Sequence, residues 1–330
     1  MKQVKINVLI LSCGTRNKVV QAFKQAENIG TVVCTDFSKY APALYEGDVA
    51  LLVPKITDSA YLESILTICR KYKIDGLLSL LDPELSIIAA NVDRFLEIGC
   101  KPMISELAAI ENCFDKNEFA ETLRDNHISY IRSASSVIQA KEMIEAQYLS
   151  FPLMVKPAKG SASIGLNRVT RLEDLERFKD SMDAIIIQEW VDFQEFGIDC
   201  YVDILSGKLS QMFIKEKIKM RAGETDKAIS CHHQLIRDTI LDFFKKYPYQ
   251  FRGTIDFDIF SDGQECLISE INPRFGGGYP HAYAAGLNYP QLYLNNLQGI
   301  ENPEFKDFSY QADLVMMKYS ELVIKKDNEI

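Results

Sequence analysis

From residue 5 to about 104, short apolar runs alternate with amphipathic stretches, and this rhythm restricts the segment to a parallel sheet covered by helices on both faces. Strands are expected over 5–11, 31–35, 49–53 and 76–80, with helices over 18–28, 60–72 and 83–98, where apolar residues recur near the helical period. After 104 the rhythm changes. Asp115-Lys116-Asn117-Glu118 has the spacing of a capping box opening a helix, and a compact α+β module follows. Beyond about 186 long strands dominate, over 195–205, 211–217 and the two arms of 253–271, interrupted by a helix over 235–246, so an antiparallel sheet fits. Three units are therefore expected: doubly wound α/β over 1–104, α+β over 105–186 and an antiparallel sheet over 187–330.

Composition allows this. A chain of 330 residues holds two or three domains at ~100–200 residues each, and 47% hydrophobic residues supply a large core. Lys and Arg number 37 against 46 Asp and Glu, and the net charge of -9 argues against nucleic acid or an anionic membrane held by bulk charge. No apolar run approaches the ~20 residues of a bilayer span. The first residues lack a cleavable leader pattern, so the cytoplasm is the expected compartment. Eight cysteines without a CxxC pair, mostly in apolar runs, predict buried free thiols.

Ser12-Cys13-Gly14-Thr15-Arg16-Asn17 follows the first expected strand, and Asp36 follows the second. One glycine where a dinucleotide fingerprint needs three makes an ordinary βα turn the better reading. Between Ala158 and Gly165 lies a loop of small residues, including Gly160, Ser161 and Ser163, whose N–H groups can wrap an anion. Lys156 interrupts the apolar run just before it and could reach the same anion; a plain hairpin loop with a snorkelling lysine is the alternative. Lys116 sits in a first helical turn, where the dipole disfavours a cation, so it faces either an anion or solvent. Gln188-Glu189-Trp190-Val191, with Glu195 a short turn later, can offer backbone groups to a purine edge and a carboxylate to ribose; a core Trp at a domain junction is the alternative. Lys215, Lys217 and Lys219 share a strand face and, with Arg221 and Lys227, form either an anion site or a solvated edge.

The strongest signal is the hairpin formed by Arg252-Gly253-Thr254-Ile255-Asp256-Phe257-Asp258 and Leu267-Ile268-Ser269-Glu270-Ile271-Asn272-Pro273-Arg274. Glu270 and Asn272 point to one face of an otherwise apolar strand, and a buried glutamate needs a partner. For Asp256 to share that face, the turn should have odd length, three residues rather than two. Two carboxylates and an amide oxygen suit Mg2+, with Arg274 placed to clamp a phosphoryl or carboxylate group. A salt-bridged hairpin is the alternative.

In this order, Asp115-Lys116, Val155-Lys156-Pro157 with its loop, Gln188-Glu189-Trp190-Val191 with Glu195, and Glu270-Ile271-Asn272-Pro273-Arg274 resemble the ATP-grasp superfamily. They are most similar to relatives of the carbamoyl phosphate synthase large subunit and the stand-alone ligases related to it. The first hundred residues, with Tyr45-Glu46-Gly47-Asp48, Val53-Pro54 and Ile74-Asp75-Gly76 through Asp82-Pro83-Glu84-Leu85, look like the pre-ATP-grasp domain.

The resemblance implies that Lys116 and Lys156 hold the α- and β-phosphates, that Glu189 and Val191 meet adenine through their backbone beside Trp190, and that Glu195 binds ribose. Asp256, Glu270 and Asn272 would hold Mg2+ (or Mn2+), while Lys217 or Arg221, together with Arg274, would face the γ-phosphate or an acyl phosphate. Met220-Arg221-Ala222-Gly223-Glu224 looks like a lid. The lone glycine after the first strand, and a chain ending soon after the ATP-grasp unit, depart from the large subunit and weaken the case for carbamoyl phosphate synthesis itself. The expected function is an ATP-dependent carboxylate–amine ligase of the amino acid type. The alternatives are a nucleotide-binding regulator without turnover and carboxyphosphate chemistry like that of carbamoyl phosphate synthase. Expected partners are small carboxylates and amines, with a homodimer allowed and neither nucleic acid nor membrane.

Overall fold

The computed structural model describes residues 5–160, 165–221 and 223–326. Strands β1 (Ile6–Leu11), β2 (Ile29–Asp36), β3 (Val49–Leu52), β4 (Gly76–Ser79) and β5 (Lys101–Pro102) form a parallel sheet in the order β3-β2-β1-β4-β5. Val8, Ile10 and Val32 pack toward the helix Asn17–Lys24 on one face, while Leu9, Leu11 and Val33 pack toward the helices Tyr61–Tyr72 and Asp82–Ala89 on the other. That two-sided burial is why these strands read as continuous apolar runs. The strand order reverses between β1 and β4, so the turns after these two strands flank a crevice at the carboxyl edge of the sheet.

The second sheet is antiparallel, with β6 (Ser133–Ala134), β7 (Leu153–Pro157), β8 (Asn167–Val169) and β9 (Ile185–Glu189) in the order β6-β9-β7-β8. β9 runs through the limit expected at 186 and ends at Glu189. The helix Lys116–Asp125 precedes this sheet, capped by the Asp115 carboxylate, which accepts hydrogen bonds from the N–H groups of Asn117 at 3.0 Å and Glu118 at 3.4 Å.

The third sheet comprises β10 (Gln194–Val202), β11 (Leu209–Arg221), β12 (Glu224–Ser230), β13 (Gly253–Ser261), β14 (Cys266–Asn272) and β15 (Val315–Met317), in the antiparallel order β14-β13-β10-β11-β12-β15. The β13–β14 connection is an even, four-residue turn over 262–265, not the odd one expected. A bulge at Ser269 restores the parity: Ser261 pairs with Cys266 and Ile259 with Ile268, but Asp258 then faces Glu270 and Asp256 faces Asn272. An extra residue in one strand does the work assigned to the turn.

The core does not respect the boundaries between units. Phe23 of the first helix packs against Phe275 (ring centroids 5.9 Å apart) and Tyr293 (6.0 Å), in a cluster that also holds Tyr279 and Tyr289. Each buried aromatic contributes about 1.5–3 kcal/mol. All eight cysteines are free, and all but Cys231 are buried. Among the described residues no helix is long and apolar enough to cross a membrane.

Candidate active site

One face of the third sheet carries most of the ionisable groups. Rows across it read Glu270, Asp258, Gly197, Lys215 and Asn272, Asp256, Asp199. Lys215 and Lys217 lie on this face, almost fully buried, and each is matched to acids. Lys215 Nζ is 2.5 Å from Asp199, while Lys217 Nζ is 2.7 Å from Glu195 and 2.5 Å from Asp258. Burial works against the Lys217 charge, but Asp258 and Glu195 outweigh it and hold its pKa above the ordinary lysine value.

The face is opposed by the second sheet and the helix that precedes it. Lys116 is buried, not solvated, and its Nζ donates to the Gly160 carbonyl at 2.5 Å. Its backbone N–H donates to Ala158 at 3.0 Å, which ties the start of the helix to the end of β7, where Lys156 lies. Burial, aided by neighbouring Lys116, pulls Lys156 below the usual lysine range against the pull of Glu270. Lys116 and Glu270 thus line one cleft, and Lys156, from a third element, is near enough for its charge to act on Glu270. Ser161 and Ser163 lie outside the described residues.

Glu270 is pushed above the carboxylate range by burial and by Asp258, with Lys116 and Lys156 pulling the other way. Among the described residues, no hydrogen bond or ion pair joins its carboxylate. Asp256 is raised to about 7 by burial and by the charges of Asp258 and Asp199. A divalent cation would relieve both groups, so the donor set fits Mg2+. No three His, Cys, Asp or Glu side chains among the described residues stand close enough to hold an ion unaided. Asp258 is drawn to Lys217 and Asn272 Oδ1 accepts from Arg274, so an ion here would draw further oxygens from a bound phosphate, as Mg2+ commonly does.

Trp190 is not a core residue; it is partly exposed, with the Arg168 guanidinium 4.7 Å from its ring centroid. The Glu189 carboxylate is taken by a two-pronged pair with Arg132, at 2.8 and 2.9 Å, and its backbone N–H donates to the Arg132 carbonyl at 2.9 Å, so its side chain is not left for a base. Val191 shares an open cavity with these residues and Leu267.

Arg274 is buried and anchored across two units: it donates to Asp82 at 2.8 Å, to Asn272 Oδ1 at 3.1 Å and to the Phe275 carbonyl at 3.0 Å. Burial opposes its charge, but Asp82 more than offsets this and holds its pKa up. Its Nε and Asp82 Oδ1 have no partner. Asp82, at the start of a helix in the first unit, is a site residue that sequence reasoning treated only as part of the stretch resembling the pre-ATP-grasp domain.

Arg221 does not join Lys217. It lies four residues further along β11, roughly 13 Å by strand rise, past two register shifts, and pairs instead with Asp226 at 2.9 Å. Lys219 is exposed. The lysine run therefore divides: Lys215 and Lys217 are buried against acids, while Lys219 and Arg221 lie outside that face.

Comparison with known proteins agrees with this geometry. Residues 8–103 match the family described as PylC-like, N-terminal domain, and residues 181–319 match ATP-grasp in the biosynthetic pathway with Ter operon. A formate-dependent phosphoribosylglycinamide formyltransferase of Prochlorococcus marinus is 22% identical over 331 residues, covering 94% of this chain and 80% of that one. A carbamoyl phosphate synthase large chain of Clostridium beijerinckii is 22% identical over 279 residues, covering 80% of this chain but 25% of the relative. Among solved structures, N5-carboxyaminoimidazole synthetase from Staphylococcus aureus complexed with ADP superposes with a TM-score of 0.72 at 16% identity, covering 92% of this chain and 80% of that one. An L-amino acid ligase from Bacillus licheniformis reaches 0.64 at 20% identity, covering 92% and 76%. With both units matched in order, and with a carboxylate-rich hairpin lining the cleft, the chain has the ATP-grasp fold and is similar to ATP-dependent ligases of the ATP-grasp type.

Proposed function

We propose that this protein joins a carboxylic acid of the amino acid type to an amine at the expense of ATP, through an acyl phosphate. The observation that carries this reading is the cleft lined by Lys116 and Glu270, with Lys156 near enough to act on Glu270 and Arg274 at the end of the same hairpin. ATP enters as substrate. Lys116 and Lys156 neutralise its α- and β-phosphates, the backbone of Glu189 and Val191 meets adenine, and Glu195 meets ribose once it shares its hold on Lys217. Asp256 or Asp258, Glu270 and Asn272 would hold Mg2+ (or Mn2+), which supplies charge neutralisation between the phosphates.

The substrate carboxylate oxygen attacks the γ-phosphorus, the bond to the β-phosphate oxygen breaks, and ADP leaves. The amine then attacks the acyl carbon, inorganic phosphate departs and the amine proton is lost, leaving an amide. Arg274 and Lys217 stabilise the negative charge that moves through these steps, so no protein nucleophile is needed. The curated formyltransferase, by its name formate-dependent, and the L-amino acid ligase both support an acid substrate.

ADP release measured across pairs of amino acids, small carboxylates and amines tests the reading. Turnover with at least one acid–amine pair is expected. Tight Mg-ATP binding with no release for any pair would favour a regulator instead.

A further inference from the structure

The geometry points to the class of acid: we infer that the cavity behind Gly276 and Gly277 takes a monocarboxylate with an apolar body, gripped through Arg16. This rests on the ligase reading and deepens it.

A cavity of about 690 Å³ lies between the turn after β1, the loop after β14 and the segment 316–323 that includes the end of β15. Only two glycines part it from the metal hairpin. A Cβ on Gly276 would stand 2.4 Å from the Asp256 carboxyl carbon, and one on Gly277 would stand 2.5 Å from Arg16 Nη1 and 2.9 Å from the Glu224 carboxyl carbon. Asp256 presses on this loop from one side and Arg16 and Glu224 on the other, so the loop can be no bulkier than glycine where the cavity approaches the hairpin.

Arg16 Nη2 is 3.1 Å from Glu224, but Nη1 is shielded from solvent and has no partner. Burial, together with nearby Arg274, makes the Arg16 charge costly to hold, and Glu224 only partly offsets that. Lys318 also claims Glu224, at 2.9 Å. Of the four cations that line the cavity, Lys18 pairs with Glu321, Arg221 with Asp226 and Lys318 with Glu224, while Arg16 keeps an Nη1 without a partner. An orphaned guanidinium N–H calls for an acceptor such as one carboxylate, since Arg presents a planar fork to that group.

The pairing of the other cations also separates candidates. A phosphorylated sugar carries close to two negative charges, and the remaining cations are already engaged: Arg221 with Asp226, and Lys318 with Glu224. The rest of the wall is apolar, with Val19, Pro280, Met316, Met317 and Leu322. Methionines line pockets that adapt to varied apolar shapes. An acid whose carboxylate sits between Arg16 and Arg274, with its chain on the methionines, satisfies all of these features.

The test uses the full chain and calorimetric titration in the presence of Mg-ADP, with 3-phenylpropionate, L-methionine and ribose 5-phosphate as probes. One of the two apolar acids is expected to bind the wild type, with affinity about 10- to 100-fold weaker in Arg16→Ala, intermediate in Arg16→Lys, and several-fold weaker in Met317→Glu, a substitution on an exposed strand that leaves the fold intact. Mg-ADP affinity should stay within about threefold in every variant. Tighter binding of ribose 5-phosphate than of either acid, or acid binding indifferent to both Arg16 and Met317, would overturn the inference. Arg16-dependent acid binding without ADP release for any acid–amine pair would instead leave it standing and sink the ligase reading.

Discussion

Glu84 is buried and Glu270 only half-buried, and they sit in regions built to opposite ends. Glu84 lies in the crevice of the parallel sheet, 1% exposed, where it accepts hydrogen bonds from the hydroxyls of Ser12, Ser79 and Tyr61. Glu270 lies on the antiparallel hairpin and accepts none from any described residue. Burial raises both. What separates them is whether the chain itself has met the oxygens: the first is closed by its own neighbours, and the second is left for something brought from outside. Buried charge alone does not mark a site; unmet valence beside a cleft does.

The comparison breaks most visibly at Glu270. Glu270→Gln is expected to reduce kcat/KM by about 10²- to 10³-fold while moving Tm by no more than about 2 °C, since no internal partner is lost. Steady-state kinetics and calorimetry on one preparation would check this, and a large fall in Tm with activity retained would place Glu270 with Glu84.

The reverse is expected of the crevice. Glu84→Ala strands three hydroxyl donors, at about 1–3 kcal/mol per unsatisfied group, so urea unfolding should show a loss on the order of 3 kcal/mol. Mg-ADP affinity should be unchanged. Glu84→Gln sharpens the point through pH. Burial raises the Glu84 pKa, so its contribution to stability is present below the ordinary glutamate pKa and fades as pH rises through the folded value. The glutamine variant should therefore lose less stability than the wild type as pH rises above the ordinary glutamate pKa.

The smallest effect is expected at Glu189, whose carboxylate resembles that of Glu84 in being already claimed, here by Arg132. Glu189→Gln should change the KM for ATP by less than about threefold, because that carboxylate is not left for adenine. A loss of tenfold or more would show that the side chain itself reads the nucleotide.

The parts of the fold legible in the sequence are those set by local period. The parallel sheet and the long antiparallel strands follow from runs of apolar residues that no other arrangement buries. The Ser269 bulge was not legible: it follows from the conflict between an even turn and the need to place Asp258 and Asp256 opposite Glu270 and Asn272, and only the paired strands reveal it. The lysines were visible as residues out of place in apolar segments. Their partners were not, because Lys215 with Asp199, Lys217 with Glu195 and Asp258, and Arg274 with Asp82 are all distant in the chain. Arg221 misled because a basic run along a strand says nothing of how far its end is carried. Arg16 was passed over because its turn lacked glycines, whereas its importance comes from Gly277, far along the chain.

The Arg274–Asp82 pair also bears on how the molecule comes apart. Detaching the first unit would leave a guanidinium facing Asn272 and Phe275 with its carboxylate gone, and would uncover the ring of Phe23 that packs on Phe275 and Tyr293. Either cost discourages an intermediate in which one unit is folded and the other loose. The hairpin cleft and the crevice of the parallel sheet are therefore expected to share a single melting transition, and the cavity lined from both units exists only while both are in place.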